Sequence, residues 1–156
     1  MMSNKELVLE TLKRAGKQIA QSIQTNSKNM TGTELNAESD YIPSFKKACE
    51  KMNMLDRKAG FTDGFICKSS AGRVVRLIQN YDSTIYTVEP EELPAQWGFV
   101  WSDDPAHALP FIALSTSPYM TGNCCTENDV VYKSKIDNNV HSPTEYPAGW
   151  EEYKIA

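Results

Sequence analysis

The sequence predicts a mainly β protein, built from small β modules in tandem and preceded by an N-terminal α-helix, so that the overall class is α+β. Three observations support this prediction. Apolar residues recur at helical spacing near the N-terminus, short β-type runs separated by turn-forming residues follow Gly60, and one octapeptide motif occurs twice. A period near four residues indicates a helix, whereas short runs bounded by turn signals indicate strands.

The composition limits the classes of protein and partner. The chain has 156 residues, of which 40% are hydrophobic, and a formal net charge of −4. This length suits one domain or two very small ones. The charge provides no attraction to nucleic acid or to an anionic membrane, and no apolar run approaches the roughly 18 to 20 residues that span a bilayer. With no export signal at the N-terminus, we expect a protein that is made in the cytoplasm and binds neither nucleic acid nor membrane.

Residues 1–29 are predicted to form the N-terminal helix, which Ser3 or Asn4 can cap. The apolar residues of this helix form one narrow stripe at spacings of four, three and four residues: Val8, Leu12, Ala15 and Ile19. A narrow stripe suits a coiled coil, hence a homo-dimer or homo-trimer, or docking on another protein. It also suits packing of the helix on its own domain.

Residues 30–60 are predicted to be a linker followed by a short helix. Polar and turn-forming residues dominate up to Asp40, which is typical of a linker. Pro43 then precedes a segment, Ser44 to Asn53, that can form a short helix, because proline is favoured at the first helical turn.

The remainder is predicted to contain two β modules, at residues 61–104 and 124–156, joined by a connecting segment at 105–123. In the first module, "GFICKSS" and "RVVRLIQ" flank a turn, and "NDVVYKSKI" has the same strand character in the second. Prolines at positions 105, 110 and 118 exclude a long helix from the connecting segment. Its apolar side chains should pack against both modules and make one compact body.

The octapeptides "PEELPAQW" (90–97) and "PTEYPAGW" (143–150) agree at five of eight positions, and a Val-Val pair precedes each. Shared ancestry of two modules explains this agreement better than chance. We expect Trp97 and Trp150 to close the core of each module, with Pro94 and Pro147 fixing the approach of the chain; Trp101 has no counterpart in the second copy and is a candidate for a surface or interface role.

The cysteines do not form a metal motif. Cys49, Cys67, Cys124 and Cys125 include only one close pair, and its two members are adjacent, unlike the spaced pairs of zinc sites. We expect reduced thiols that behave as small hydrophobic residues, and neither a metal nor a cofactor.

The repeated plan of turn, Val-Val strand, polar loop and Pro-Trp element resembles carbohydrate-binding modules of the chitin-binding type 3 kind. The ending from Asp137 to Glu152 and the phrases "IPSF", "SSAGRVVRLIQ", "LPAQWGFVWSDDP" and "TSPYM" are similar to divergent versions of these modules in tailed-phage virion proteins. The resemblance implies a non-enzymatic virion protein, on the capsid or the tail, that contacts other virion proteins and adheres to polysaccharide. The alternative is a structural decoration or fibre protein, which the missing loop tryptophans and the heptad-like helix favour.

Sugar recognition needs an aromatic plate beside planar polar side chains, because a pyranose stacks its C–H face while its hydroxyls form hydrogen bonds. Asp and Asn are also ordinary turn formers, so a purely local role is the competing interpretation. The candidate glycan-binding residues lie in the loops before each Pro-Trp element or in the strand before it: Tyr81, Asp82, Tyr86, Tyr132, Asp137, Asn138 and Asn139.

The sequence indicates no catalytic residues. It contains no serine-nucleophile, phosphate-loop or zinc-protease motif. Acidic pairs are present, but we expect them to form a solvated surface, because no apolar residues surround them to perturb a pKa: Glu91, Glu92, Glu145, Glu151 and Glu152.

Overall fold

The computed structural model describes residues 1–51, 64–79, 81–82 and 85–154. Their fold is mixed α+β, as predicted: an N-terminal helix and two short helices are followed by seven strands in two sheets. None of the helices in these residues is both long enough and apolar enough to cross a membrane.

Helix α1 (Asn4–Asn26) begins at a capping box. The Glu6 amide donates to the Ser3 hydroxyl over 3.2 Å, and the Ser3 amide donates to the Glu6 carboxylate over 2.7 Å. These bonds satisfy amides that the first helical turn leaves without partners. Only Ile23 of this helix is buried, near the C-terminal end, where it packs with Leu35, Ile42, Ile66 and Val74.

The predicted linker is packed against the body. Residues 30–44 contain helix α2 (Gly32–Ala37), which starts at a second capping box between Thr31 and Glu34. Leu35 of α2 is fully buried. The sequence predicted a linker here because the segment is mostly polar. A single apolar residue, Leu35, behind one capping box is too weak a pattern to indicate a packed helix. Helix α3 (Phe45–Lys51) follows, and the last two residues of the predicted short helix lie outside the described residues.

The first sheet is antiparallel, in the order β1 (Ile66–Lys68), β2 (Val74–Leu77) and β3 (Trp97–Phe99). The second sheet has the order β4 (Leu109–Pro110), β5 (Cys124–Glu127), β6 (Val130–Ser134) and β7 (Trp150–Glu152). Strand β4 comes from the predicted connecting segment and runs parallel to β5, whereas the other pairs are antiparallel.

The sequence repeat corresponds to a structural repeat of three strands, β1-β2-β3 and β5-β6-β7. Trp97 begins β3 opposite Leu77, and Trp150 begins β7 opposite Ser134. The Gly64 amide donates to the Leu77 carbonyl in the first copy, and the Gly122 amide donates to the Ser134 carbonyl in the second. Both glycines have positive φ, at 93° and 94°. Only glycine adopts this conformation without strain.

The strand register corrects the alignment of the Val-Val pairs. Trp97 lies opposite the residue two positions after Val75, whereas Trp150 lies opposite the residue three positions after Val131. Val74, not Val75, is therefore equivalent to Val131. The copies also differ in their first turn: β5 and β6 are joined through Asn128 and Asp129 alone, whose φ angles of 51° and 61° suit a tight hairpin.

Residues 100–103, here called the junction segment, connect the two sheets. The ring of Trp101 stacks on Phe99 of the first sheet at 5.8 Å between centroids and on Tyr119 of the connecting segment at 4.4 Å. Tyr119 in turn packs edge-on against Trp150 at 5.4 Å. Because Trp101 contacts the cores of both modules, the expected interface role is internal to the chain.

The close approach of α2 to the junction segment makes Gly32 a test of this packing. A Cβ atom at Gly32 would lie 2.1 Å from the main-chain oxygen of Trp101, whereas a Cβ at Gly16 would have no atom within 4 Å. We expect Gly32→Ala to lower the free energy of unfolding by about 1–3 kcal/mol. The matched Gly16→Ala change should raise helix stability by about 1 kcal/mol.

Urea unfolding of dilute protein, followed by tryptophan fluorescence and by far-UV circular dichroism, measures both effects. Equal midpoints for the Gly32→Ala variant and the wild type would contradict the described contact.

Candidate functional site

The predicted sugar-binding aromatics of the first module face the core. Tyr81 is 1% exposed, and its ring packs against Phe45 and Trp97. Its hydroxyl donates to the main-chain oxygen of Tyr86 over 2.7 Å, and the two tyrosine rings stack at 5.6 Å. Burial raises the pKa of the Tyr81 hydroxyl. The ring of Tyr81 is therefore a part of the core, while Asp82 is half-buried and accepts turn amides through its main-chain oxygen.

Asn139 of the second module is also a structural residue. It is 1% exposed, and its amide nitrogen donates to the Ser134 hydroxyl and to the Gly149 carbonyl, each over 3.1 Å. Its amide oxygen accepts the His141 amide over 3.3 Å. These bonds connect the end of β6 to the start of β7 and leave the side chain enclosed.

Of the other three candidates in the second module, two are exposed and one is half-buried. Asp137 is exposed, and its carboxylate accepts the Thr121 amide over 3.0 Å, which lowers its pKa. Asn138 is exposed with φ of 55°, as in an ordinary turn. Tyr132 is half-buried against the core that contains Trp150. Of the seven candidates, two are enclosed, and the rest do not form one flat aromatic surface.

Both repeated tryptophans are enclosed, Trp97 at 0% and Trp150 at 5% exposure. The indole nitrogen of Trp150 donates to the His141 carbonyl over 2.8 Å, which holds the preceding loop against the core. Pro94 is half-buried, whereas Pro147 is exposed and starts a short 3-10 turn that leads into β7.

An exposed tyrosine that the sequence analysis did not select lies in the second octapeptide. Tyr146 is 43% exposed, and a Cβ at Gly149 would lie 2.7 Å from its ring. Its ring also meets His141 edge-on at 6.2 Å. The first copy has Gln96 where the second has Gly149. This difference between the octapeptides is the sequence feature that could have pointed to Tyr146.

A groove lies between α1, a 3-10 turn at Ser39–Tyr41 and strand β1. Its volume is about 790 Å³. Gln24 lines it and bonds the main chain of Ile66 in both directions, over 2.6 and 2.9 Å, so this amide closes the open edge of β1. The remaining polar side chains of the groove include an exposed tyrosine, an amide, one carboxylate and two ammonium groups: Tyr41, Gln21, Asp40, Lys47 and Lys68.

The apolar stripe of α1 is exposed to solvent. Val8 is 58% exposed, Leu12 63% and Ile19 39%, and Ala15 is also exposed. Every residue from 1 to 19 is exposed except Gly16. The predicted stripe is therefore intact and open to solvent, and only the last turns of α1 contact the body.

The four cysteines are reduced thiols that form no disulfide with one another. Burial raises the pKa of Cys49 and of Cys124 to about 11 and that of Cys125 to about 12, and it raises the pKa of Cys67 as well. Raised values keep these thiols protonated and weakly nucleophilic. In the described part of the chain, no three His, Cys, Asp or Glu side chains are grouped as metal ligands.

Glu91 is an exception to the expected solvated acidic surface. Its carboxylate lies 3.2 Å from the Arg73 guanidinium, and both side chains are at most 15% exposed. Arg73 also donates to the Pro110 carbonyl over 2.7 Å, so this ion pair connects the first module to strand β4. Glu92, Glu145, Glu151 and Glu152 are exposed, as expected.

Comparison of the chain with protein-family models, with curated proteins and with solved structures finds no match.

Two neighbouring asparagines provide a test of which candidate residues are structural. We expect Asn139→Ala to lower the free energy of unfolding by about 1–3 kcal/mol, because it leaves buried partners of the amide unsatisfied. The matched Asn138→Gly change should cost about 0.5 kcal/mol or less, because glycine accepts the positive φ. Urea unfolding midpoints measure the difference, and similar midpoints for the two variants would contradict the assigned roles.

Proposed function

We propose that this protein is a non-enzymatic structural protein of a tailed-phage particle, on the capsid or the tail. Helix α1 is its assembly element. Its displayed body consists of two tandem β modules similar to carbohydrate-binding modules of the chitin-binding type 3 kind. The observation that carries this proposal is the open stripe of α1, in which Leu12 is 63% exposed. Large exposed apolar surfaces on a small protein mark contacts with other proteins.

The contacts among the aromatic residues support a structural role for the modules. Phe99, Trp101, Tyr119, Phe111 and Trp150 contact one another in a continuous series of stacked and edge-on pairs. Aromatic side chains that pack between the two sheets cannot stack on sugar rings. The phage context rests on the resemblance of the motifs, and the assembly role rests on α1.

Incorporation into particles tests this proposal. We expect Leu12→Lys to reduce the amount of the protein in purified particles about tenfold or more, because a charge in an apolar contact costs more than 1.4 kcal/mol. Leu7→Lys is the matched control, since it makes the same exchange at an exposed leucine outside the stripe and should leave incorporation unchanged.

Quantitative mass spectrometry of gradient-purified particles provides the measurement, with the phage that encodes the chain as the source. Absence of the wild-type protein from the particles would contradict the structural role.

The groove beside α1 favours adhesion to glycans as a second candidate function. Tyr41 is 41% exposed there, beside the Asp40 carboxylate and the Gln21 amide. An aromatic face next to planar polar groups is the combination that sugar binding requires. The groove, rather than the loops around Tyr81 and Asn139, would then be the contact surface.

A glycan array with the purified protein tests this second function. We expect Tyr41→Ala to weaken retention about tenfold, because an aromatic contact with a sugar is worth about 1 kcal/mol or more. Tyr153→Ala is the matched control, since Tyr153 is also 41% exposed but lies outside the groove. A wild-type protein that binds no glycan on a broad array would exclude adhesion and leave the assembly role standing.

A further inference from the structure

We propose that a second copy of this chain covers the exposed stripe of α1, and that the two helices run antiparallel. This inference rests on the proposed function, because it names the partner of the assembly element. The stripe contains Val8, Leu12, Ala15 and Ile19, which the capped helix presents at spacings typical of a two-helix contact.

The stripe is complementary to itself when one helix is reversed. Alignment about the midpoint of the stripe places Val8 beside Ile19 of the second copy and Leu12 beside Ala15. Every large side chain then faces a smaller one. On one flank of the stripe, Leu9 of one copy meets Gly16 of the other, where a side chain is absent and no atom lies within 4 Å of a Cβ position.

The charges of α1 favour self-association over a charged partner. Glu6, Glu10, Lys13, Arg14 and Lys17 occupy the sides of α1 away from the stripe. The residues that flank the stripe are uncharged: Asn4, Thr11 and Gln18 on one side, Leu9 and Gly16 on the other. Charges at such flanking positions select a different partner or an orientation in coiled coils, and here none is present.

The position of Lys5 favours the antiparallel orientation. Lys5 lies in line with the stripe, so parallel helices would place two lysines against each other, whereas antiparallel helices bring Lys5 toward Ser22 of the second copy.

The contact has a defined end and a limited size. Ile23 continues the apolar side of α1 but is buried in its own body, so the free stripe ends near Ile19. The free part of the helix, from residue 4 to residue 19, is about 24 Å long. Two such helices bury less area than a standard interface of about 1,600 Å². We therefore expect a dimer that dissociates on dilution.

Sedimentation equilibrium of the purified full-length chain over a wide dilution series tests self-association. The wild type should double its mass from 17.5 kDa as the concentration rises. Leu12→Lys should remain monomeric at every concentration, and Leu7→Lys should dimerise like the wild type. Near-UV circular dichroism confirms that the body of each variant is folded. A monomeric wild type throughout, or equal dimerisation of both variants, overturns the proposal.

Disulfide cross-linking tests the orientation. Cys67, Cys124 and Cys125 are buried, but Cys49 is only half-buried, so the variants are made in a Cys49→Ser background in which the introduced surface thiols react selectively. Antiparallel helices predict a cross-linked dimer for the double variant Val8→Cys/Ile19→Cys and none for either single variant. Within one helix the two positions are about 16 Å apart, too far for a disulfide. A cross-linked Val8→Cys single variant, or an unlinked double variant, overturns the antiparallel pairing.

The two proposals fail separately. If the wild type is monomeric but Leu12→Lys is lost from particles, the partner is another virion protein and only the self-association is wrong. If the dimer forms but the protein is absent from particles, the proposed function is wrong and the self-association stands.

Discussion

The stacking of Trp101 on Tyr119 is the interaction on which the arrangement of this protein depends. The rings lie 4.4 Å apart and nearly parallel, at 13°. Around this pair, the main chain of the junction segment is bonded to helix α2 and strand β5. Asn36 of α2 donates to Val100, Cys124 of β5 donates to Ser102, and the Asp103 amide donates to Thr33 of α2. Two three-strand units, each too small to be stable alone, thereby have their separate cores joined through Trp101.

This arrangement separates the protein into a packed body and a helix, α1, that is exposed over most of its length. The body encloses both tryptophans of the repeat, together with Tyr81 and Tyr119. Helix α1 exposes apolar residues over most of its length, and isolated helices of this length are only marginally stable in water. A partner that covers the stripe would therefore stabilise α1 as a helix. The same contact would attach the body to that partner.

Local signals were sufficient for some features and insufficient for others. The cap at Ser3, the stripe through Leu12 and the enclosed Trp97 and Trp150 follow from short-range patterns, since capping and periodicity act within one or two turns. The packing of α2 was missed because it depends on the contact of Gly32 with Trp101, far away in sequence. The burial of Tyr81 was missed because a loop tyrosine becomes a core residue only when Phe45 and Trp97 surround it.

The sequence by itself determined the α+β class, the amphipathic N-terminal helix and the two related units, because spacing, capping and repetition are properties of neighbouring residues. Only the tertiary structure decided which polar and aromatic residues of the loops are exposed. It showed that Gly64 and Gly122, both with positive φ, occupy equivalent turns. The strand register shifted the alignment of the Val-Val pairs by one residue. The fold also encloses Asn139 and leaves Asn138 exposed to solvent. Burial depends on contacts between distant segments, and no pattern within one segment specifies them.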